Sequence, residues 1–174
     1  MKNKVLLMNT ARLTTLEISA EYLEFSAGHF TIFSPVHREK IHGHTYRVQA
    51  TITAPIQADL GLAFDYSVYK KILRDICEQL NGYFLLAGNS PHLKITAEQN
   101  SYRVLFNDEI LLFPKTDIIM LPVVNSTIEE LARWFTQQLL EDKSTLEKYQ
   151  ICAITMKVFS SPRQSAAYHW QRLI

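Results

Sequence analysis

Cysteine, glycine and proline are all scarce in this 174-residue chain, at two, five and six residues. So few glycines and prolines exclude collagenous, low-complexity and linker-rich architectures. The two cysteines, Cys77 and Cys152, stand apart beside Ile76 and Ile151, which excludes a disulfide framework and reads as buried thiols. Charge of one sign is missing too: 18 Lys and Arg against 17 Asp and Glu leave a formal +1. That balance supplies no global field for nucleic acid or anionic lipid, although a local basic cluster can still meet a small anion. No apolar run approaches the ~18 residues of a membrane span. The stretch Val5 to Met8 is interrupted by Asn9 and Arg12 and is too short for a signal-peptide core. The expectation is a soluble, cytoplasmic protein with neither nucleic-acid nor membrane partners.

What is present is 47% hydrophobic, 20% charged and 11% aromatic sequence, the profile of one globular domain over 1–174. From Thr14 to Ser26 β-branched and aromatic residues predict one strand, and the alternation over Tyr46 to Ile52 predicts another. Val68, Tyr69, Ile72, Leu73, Ile76 and Leu80 recur at three and four, predicting an amphipathic helix over 66–80 with Asp65 as N-cap and Asn81-Gly82 as stop. Short strands are expected at 93–96, 101–106 and 110–113, the last two as a hairpin across Asn107-Asp108-Glu109. A second helix opens at Ser126 or Thr127, where Thr127 and Glu130 have capping-box spacing, and closing strands follow at 151–159 and 165–172. Strands at both ends with helices between them indicate an α+β fold, helices on one face of an antiparallel sheet.

Three of the six histidines carry the chemical signal. In His42-Gly43-His44 two imidazoles stand at i and i+2 of a predicted strand, hence on one face. His29 completes a trio if its strand is the antiparallel neighbour. Three neutral imidazoles with an open fourth position describe a catalytic zinc site. On spacing alone, a structural His-x-His pair remains the alternative.

Four segments taken together resemble one family in order and spacing: Phe25-Ser26-Ala27-Gly28-His29, His42-Gly43-His44-Thr45-Tyr46, Gly61 with Phe64-Asp65-Tyr66, and Thr127-Ile128-Glu129-Glu130-Leu131-Ala132. The family is that of the 6-pyruvoyltetrahydropterin and 6-carboxytetrahydropterin synthases, and the resemblance runs from Leu16 to Tyr168 apart from an inserted hairpin at about 88–120. It implies the tunnelling fold: an antiparallel four-stranded sheet with two helices on one face, joined between subunits into a trimeric barrel, two trimers stacking as a homohexamer. It also implies Zn2+ held by His29, His42 and His44, with a reduced pterin bound between subunits.

Arg38 stands where the family's usual nucleophilic cysteine lies, four residues before the first histidine of His-Gly-His. The run Glu39-Lys40-Ile41-His42 resembles the subgroup in which a glutamate three residues before that histidine takes over. In that subgroup the enzyme, a lyase, cleaves the side chain of 7,8-dihydroneopterin triphosphate to 6-hydroxymethyl-7,8-dihydropterin for folate biosynthesis. The resemblance thus implies Glu39 as catalytic proton carrier, with Thr127 and Ser160 at substrate-binding positions. Asn81-Gly82 stands where relatives carry an Asp-His dyad, and Ser160 where they carry the glutamate that grips the pterin's amidine edge. A hydroxyl supplies a weaker contact there than a bidentate carboxylate. His37, His92, Tyr83, Asp117 and Glu129 are the polar candidates to compensate, and Arg38, Lys40, Lys157 and Arg163 are those for a triphosphate. Two readings of other classes accompany the enzyme: a catalytically silent zinc- or ligand-binding relative or partner subunit of an active paralogue, and a scaffold whose histidine trio is structural.

Overall fold

In the computed structural model, which describes residues 12–172, the fold is organised on one long strand, β5 (His42–Pro55). Val5 to Met8 lies outside the described residues. Tyr46, Val48, Ala50, Ile52 and Ala54 alternate along β5 and are all buried, so from Tyr46 onward one face of the strand belongs to the core. One edge of β5 pairs antiparallel with β1 (Leu13–Ile18) and β2 (Glu24–His29) in succession. The other edge pairs with β11 (Ala153–Ser161), followed by the antiparallel β12 (Gln164–Gln171). Beyond β2, β6 (Phe84–Ala87) and β10 (Ile118–Leu121) continue the sheet in parallel.

The sheet therefore has seven strands rather than the four expected. The strand predicted over 14–26 is two strands, because residues 19–23 loop out opposite only Val48 and Gln49 before pairing resumes. The loop is closed by Leu23 N–H donating to the Ala20 carbonyl and Val48 N–H donating to that of Leu23.

Helix α1 (Ser67–Leu80) buries Tyr69, Leu73, Ile76, Cys77 and Leu80, and α2 (Ile128–Glu141) buries Leu131, Trp134, Phe135 and Leu139. Helix α1 packs against β2, and α2 packs against β11 and β12. Asp65 is not the N-cap of α1, which is Tyr66; its Oδ1 instead accepts from Ser67 N–H at 2.9 Å, an Asx turn leading into the helix. Only Gly82 takes the left-handed conformation at the helix end (φ +86°), while Asn81 is extended. The Thr127 cap is present, its hydroxyl accepting from Glu130 N–H at 3.3 Å. The reciprocal half of the capping box is replaced, since the Glu130 carboxylate accepts from Val124 N–H and Arg133. A third helix not expected from sequence, α3 (Lys143–Lys148), starts at Asp142, whose carboxylate accepts from the amide and hydroxyl of Thr145. Among the described residues no helix is long and apolar enough to cross a membrane.

The insertion is a three-stranded antiparallel sheet, β7 (Leu93–Ala97), β8 (Ser101–Phe106) and β9 (Glu109–Pro114), in which the first of the three short strands expected there pairs with the hairpin formed by the other two. Its inner face builds a second apolar cluster in which Val104 and Phe106 pack with Phe30, Ile32, Leu86 and Ile118. Phe30 and Ile32 belong to the segment leaving β2, which forms the short antiparallel pair β3 (Ile32–Ser34) and β4 (His37–Arg38) before entering β5. That connection between the two apolar clusters carries the candidate site.

Candidate functional site

The β2–β5 register sets His29 opposite His42 and Ala27 opposite His44, so the three imidazoles converge on one face at the strand ends. One nitrogen from each lies within 4.8 Å of the others. His29 is buried, and His42 and His44 are half-buried. Between them, Gly43 pairs with Gly28. A Cβ on Gly43 would stand 3.2 Å from the Ala27 carbonyl oxygen, and one on Gly28 would stand 2.9 Å from the Phe84 ring. The glycine between the histidines is therefore a consequence of close backbone approach.

Backbone carbonyls orient two of the rings. His29 Nδ1 lies 2.7 Å from the Ser126 carbonyl, and His42 Nδ1 lies 2.8 Å from that of Lys40. A carbonyl only accepts, so each Nδ1 carries a proton, and in the neutral form of each ring the lone pair is on Nε2. His29 Nε2 is buried with no hydrogen-bond partner among the described residues, and His42 Nε2 faces His44 Nε2 at 2.9 Å. Burial pushes the His29 imidazole below its ordinary pKa, against the raising pull of the Ser126 carbonyl; neighbouring His42 and His44 lower it further. His44 is likewise lowered, first by burial and then by His42. Three imidazoles with converging nitrogens, two of them held through Nδ1 by backbone carbonyls, are the donor set of a metal ion such as zinc, and these residues fit one.

Glu39 stands at the mouth of this cluster. Its Oε1 is 3.8 Å from His42 Nε2, and its Oε2 accepts from Thr31 N–H at 3.3 Å. Its own N–H donates to the Thr31 carbonyl at 2.7 Å, which fixes the main chain beneath the carboxylate. Arg38 turns away from the Glu39 carboxylate: its Nε and Nη2 donate to one oxygen of Glu109 on the inserted sheet. Neither cysteine is available beside the histidines. Cys77 is buried on α1 itself, where burial pushes its thiol up to about 12, and Cys152 precedes β11 at the opposite end of β5.

Thr127 follows Ser126, so the α2 N-terminus and the His29 contact are one piece of backbone. Ser160 sits at the β-bulge between Phe159 and Ser161, one residue past the last β5–β11 pair, Phe159 with Arg47. Asn81 ties the end of α1 to β2, its Oδ1 accepting from Ser26 N–H at 2.8 Å while Gly82 N–H donates back to the Ser26 carbonyl. His37 lies tilted against Phe33 in the β3–β4 hairpin, and Tyr83, His92, Asp117 and Glu129 are exposed.

Sequence reading missed Ser126, Asn125 and Glu109. Asn125 accepts from Ile32 N–H at 3.0 Å and donates to the Ile32 carbonyl at 2.8 Å, tying the Glu39 segment to the start of α2. These residues act through main-chain contacts or across long sequence separations, and no local pattern announces them. A hollow of about 850 Å³ lies elsewhere, between Pro55–Ala58 and Lys148–Gln150.

The profile of the family described as 6-pyruvoyl tetrahydropterin synthase matches residues 17–171. A protein of Methanocaldococcus jannaschii, named as a candidate 6-carboxy-5,6,7,8-tetrahydropterin synthase, is 26% identical over 146 residues, covering 84% of this chain and 89% of that protein. The crystal structure of 6-pyruvoyl tetrahydropterin synthase from Plasmodium vivax superposes with a TM-score of 0.86 at 29% identity, over 92% of this chain and 99% of that one. The Plasmodium falciparum protein of the same name gives the same values. Forms of the P. vivax protein in which a catalytic glutamate is replaced by alanine or cysteine match equally well.

Proposed function

The chain belongs to the 6-pyruvoyl tetrahydropterin synthase family, and we propose that it is a zinc-dependent lyase cleaving the side chain of 7,8-dihydroneopterin triphosphate to 6-hydroxymethyl-7,8-dihydropterin. The observation that carries this reading is the Glu39 carboxylate 3.8 Å from His42 Nε2, with Arg38 where a thiol would otherwise stand. Relatives of known structure in which a glutamate is the catalytic residue support it. His29, His42 and His44 would hold the zinc, which when bound would supply Lewis acidity toward the substrate's side-chain hydroxyls. Glu39 takes the proton of the outer hydroxyl. The bond between the two hydroxyl-bearing carbons then breaks, its electron pair entering the ring C=N, and the proton returns to the carbon left on the pterin. The other fragment departs as a phosphorylated aldehyde. One carboxylate suffices for this sequence, because the proton removed and the proton returned are handled in turn.

Thr127 and Ser160 are proposed to face the pterin. The Thr127 oxygen that accepts from Glu130 N–H keeps its own O–H to donate, and the bulge at Ser160 re-aims that side chain from the regular pleat. The edges at β12 and β1, unpaired among the described residues, suit a homo-oligomer of three or six subunits, with the protein in the cytoplasm. A second reading, a catalytically silent relative, is favoured by Asn81: an amide already hydrogen-bonded to Ser26 N–H is no base.

Incubating the purified protein with dihydroneopterin triphosphate and following products by mass separates the two readings. The lyase gives 6-hydroxymethyl-7,8-dihydropterin, loses it on metal stripping, and loses about 10²- to 10⁴-fold of its rate in Glu39→Gln. Absence of turnover with zinc present establishes the silent relative. Full cleavage by Glu39→Gln, or efficient formation of the pyruvoyl product, overturns the role of Glu39. Elemental analysis of His42→Ala tests the ligands, since full zinc occupancy there rules the trio out. A monomeric mass by light scattering contradicts the oligomer.

A further inference from the structure

We propose that the inserted sheet is a positioning element for Glu39, acting through Glu109 and Arg38; the inference rests on the reading of Glu39 given above. Glu109 opens β9 directly after the two-residue turn Asn107-Asp108, and it pairs in register with Phe106 at the end of β8. Asn107 adopts φ +50°, as a tight hairpin turn demands. Phe106 is buried against the cluster that includes Phe30 and Ile32. The carboxylate of Glu109 is thereby presented from a fixed turn to the segment that carries Arg38 and Glu39.

Arg38 uses its guanidinium on three sides. Nε and Nη2 donate to Glu109 Oε2, the former at 2.8 Å, while Nη1 donates to the main-chain carbonyl of Glu39 at 2.9 Å. The Phe30 ring lies under the guanidinium carbon, 5.1 Å from it to the centroid. The Arg38 side chain is only 14% exposed. A surface ion pair by itself adds little to stability, but a planar fork engaged at both ends fixes direction. Glu39 is then clamped by its N–H on the Thr31 carbonyl, by its carbonyl on Arg38, and by its carboxylate on Thr31 N–H. Without Arg38, the main chain at Glu39 keeps only the contacts of the short β3–β4 hairpin. Displacement of a reacting group by about 1 Å costs on the order of 10²-fold in rate, so a clamp of this kind matters to turnover more than to folding.

The test reads the seating of Glu39 directly, in the metal-free protein, from hydrogen exchange of the Thr31 amide. Glu39→Ala removes the acceptor and sets the unclamped rate. Glu109→Ala is expected to speed Thr31 exchange about fivefold or more, the weight of one net hydrogen bond, while the amides of β5 between Ala50 and Ala54 keep their protection. Arg38→Lys, which keeps the charge but not the fork, behaves like Glu109→Ala, and Glu109→Gln, which keeps an acceptor, falls between that variant and the wild type. In the Glu39→Ala background, Glu109→Ala changes Thr31 no further. Wild-type exchange at Thr31 in Glu109→Ala overturns the proposal, as does uniform loss of protection across β5. Turnover is read separately: Glu109→Ala is expected to lower kcat about 10- to 100-fold with little change in KM. Should Glu39→Gln retain full turnover while Glu109→Ala frees Thr31, the clamp stands and the catalytic reading of Glu39 falls.

Discussion

The two apolar clusters of this molecule hold different halves of the candidate site. The larger one joins β2, β5 and β11 to α1 and α2 and includes Phe25, Tyr46, Val48, Leu73, Phe135 and Met156. The smaller one, under the inserted sheet, rests on six buried side chains. His29, His42 and His44 hang from adjacent strands of the first, in register, with two rings held by backbone carbonyls. Glu39 hangs from the second, in a segment with only a short strand pair and a single N–H on its carboxylate. The imidazole set is thus as stable as the fold, whereas the carboxylate is as stable as a local element whose opening need not unfold the protein. An insertion can re-aim the acid/base group while leaving the ligands untouched.

Removing an aromatic anchor from each cluster breaks the comparison in opposite ways. Phe25 stacks on Tyr46 at 5.0 Å and lies 6.0 Å from Phe135. Phe25→Ala is expected to cost about 3–5 kcal/mol of global stability, seen as a lower urea midpoint in a single transition. A loss below about 1 kcal/mol contradicts the assignment of the fold to this cluster. Phe106→Ala deletes a ring of the same size, yet its effect should be local: faster exchange and proteolysis in 93–114, a smaller shift in the global midpoint, and zinc affinity within a few-fold of wild type. Collapse of zinc binding in Phe106→Ala shows that the two regions are one unit.

Thr127 probes the joint between the large cluster and the imidazoles. Loss of an N-cap hydroxyl costs about 1 kcal/mol, and here the frayed turn is continuous with Ser126, whose carbonyl holds His29 Nδ1. Thr127→Ala is expected to lose about that much stability and to weaken zinc binding by about tenfold, the scale of a disturbed outer contact, with Thr127→Ser restoring both. Isothermal titration with zinc separates this from the cap alone, which leaves affinity unchanged.

The same division explains what was legible in the sequence. Elements of the large cluster carry strong periods: the alternation along β5 and the three-four spacing of α1 and α2 were readable, and the i, i+2 histidines followed from the former. Strands β6 and β10 escaped because Phe84–Ala87 and Ile118–Leu121 are short apolar runs without alternation, as parallel strands in a covered sheet tend to be. The break at 19–23 escaped because Ser19-Ala20-Glu21-Tyr22-Leu23 contains no glycine, proline, asparagine or aspartate to mark a turn. The role of Arg38 is not readable from its neighbours in sequence, since its partner Glu109 is 71 positions away. Ser126 was unreadable for another reason: what it supplies to His29 is a carbonyl, which every residue has.

The smallest expected effect concerns protons and sharpens the claim that the imidazoles belong to the stable region. His29 and His44 have pKa values lowered in the folded protein, chiefly by burial, from an ordinary 6.5. Between the lowered values and 6.5 the unfolded chain therefore binds more protons than the folded one, and stability rises with pH. The contribution is complete above 6.5, is lost as pH falls below it, and levels off beneath the folded values. Carboxylates act in a separate window: Asp142, held at about 2 by hydrogen bonds from Thr145 and Ser144, loses its contribution only as pH falls below its ordinary 3.8. Urea midpoints of the metal-free protein should accordingly decline as the pH is lowered from about 7.5 to about 5, and His44→Gln, which has no imidazole to protonate there, should decline less. A flat wild-type profile across that range, or an unchanged decline in His44→Gln, shows that these rings are hydrated rather than part of the packed face. Saturating zinc steepens the wild-type decline, because protons and metal compete for the same Nε2 lone pairs and binding to the folded state adds stability only while those nitrogens are free.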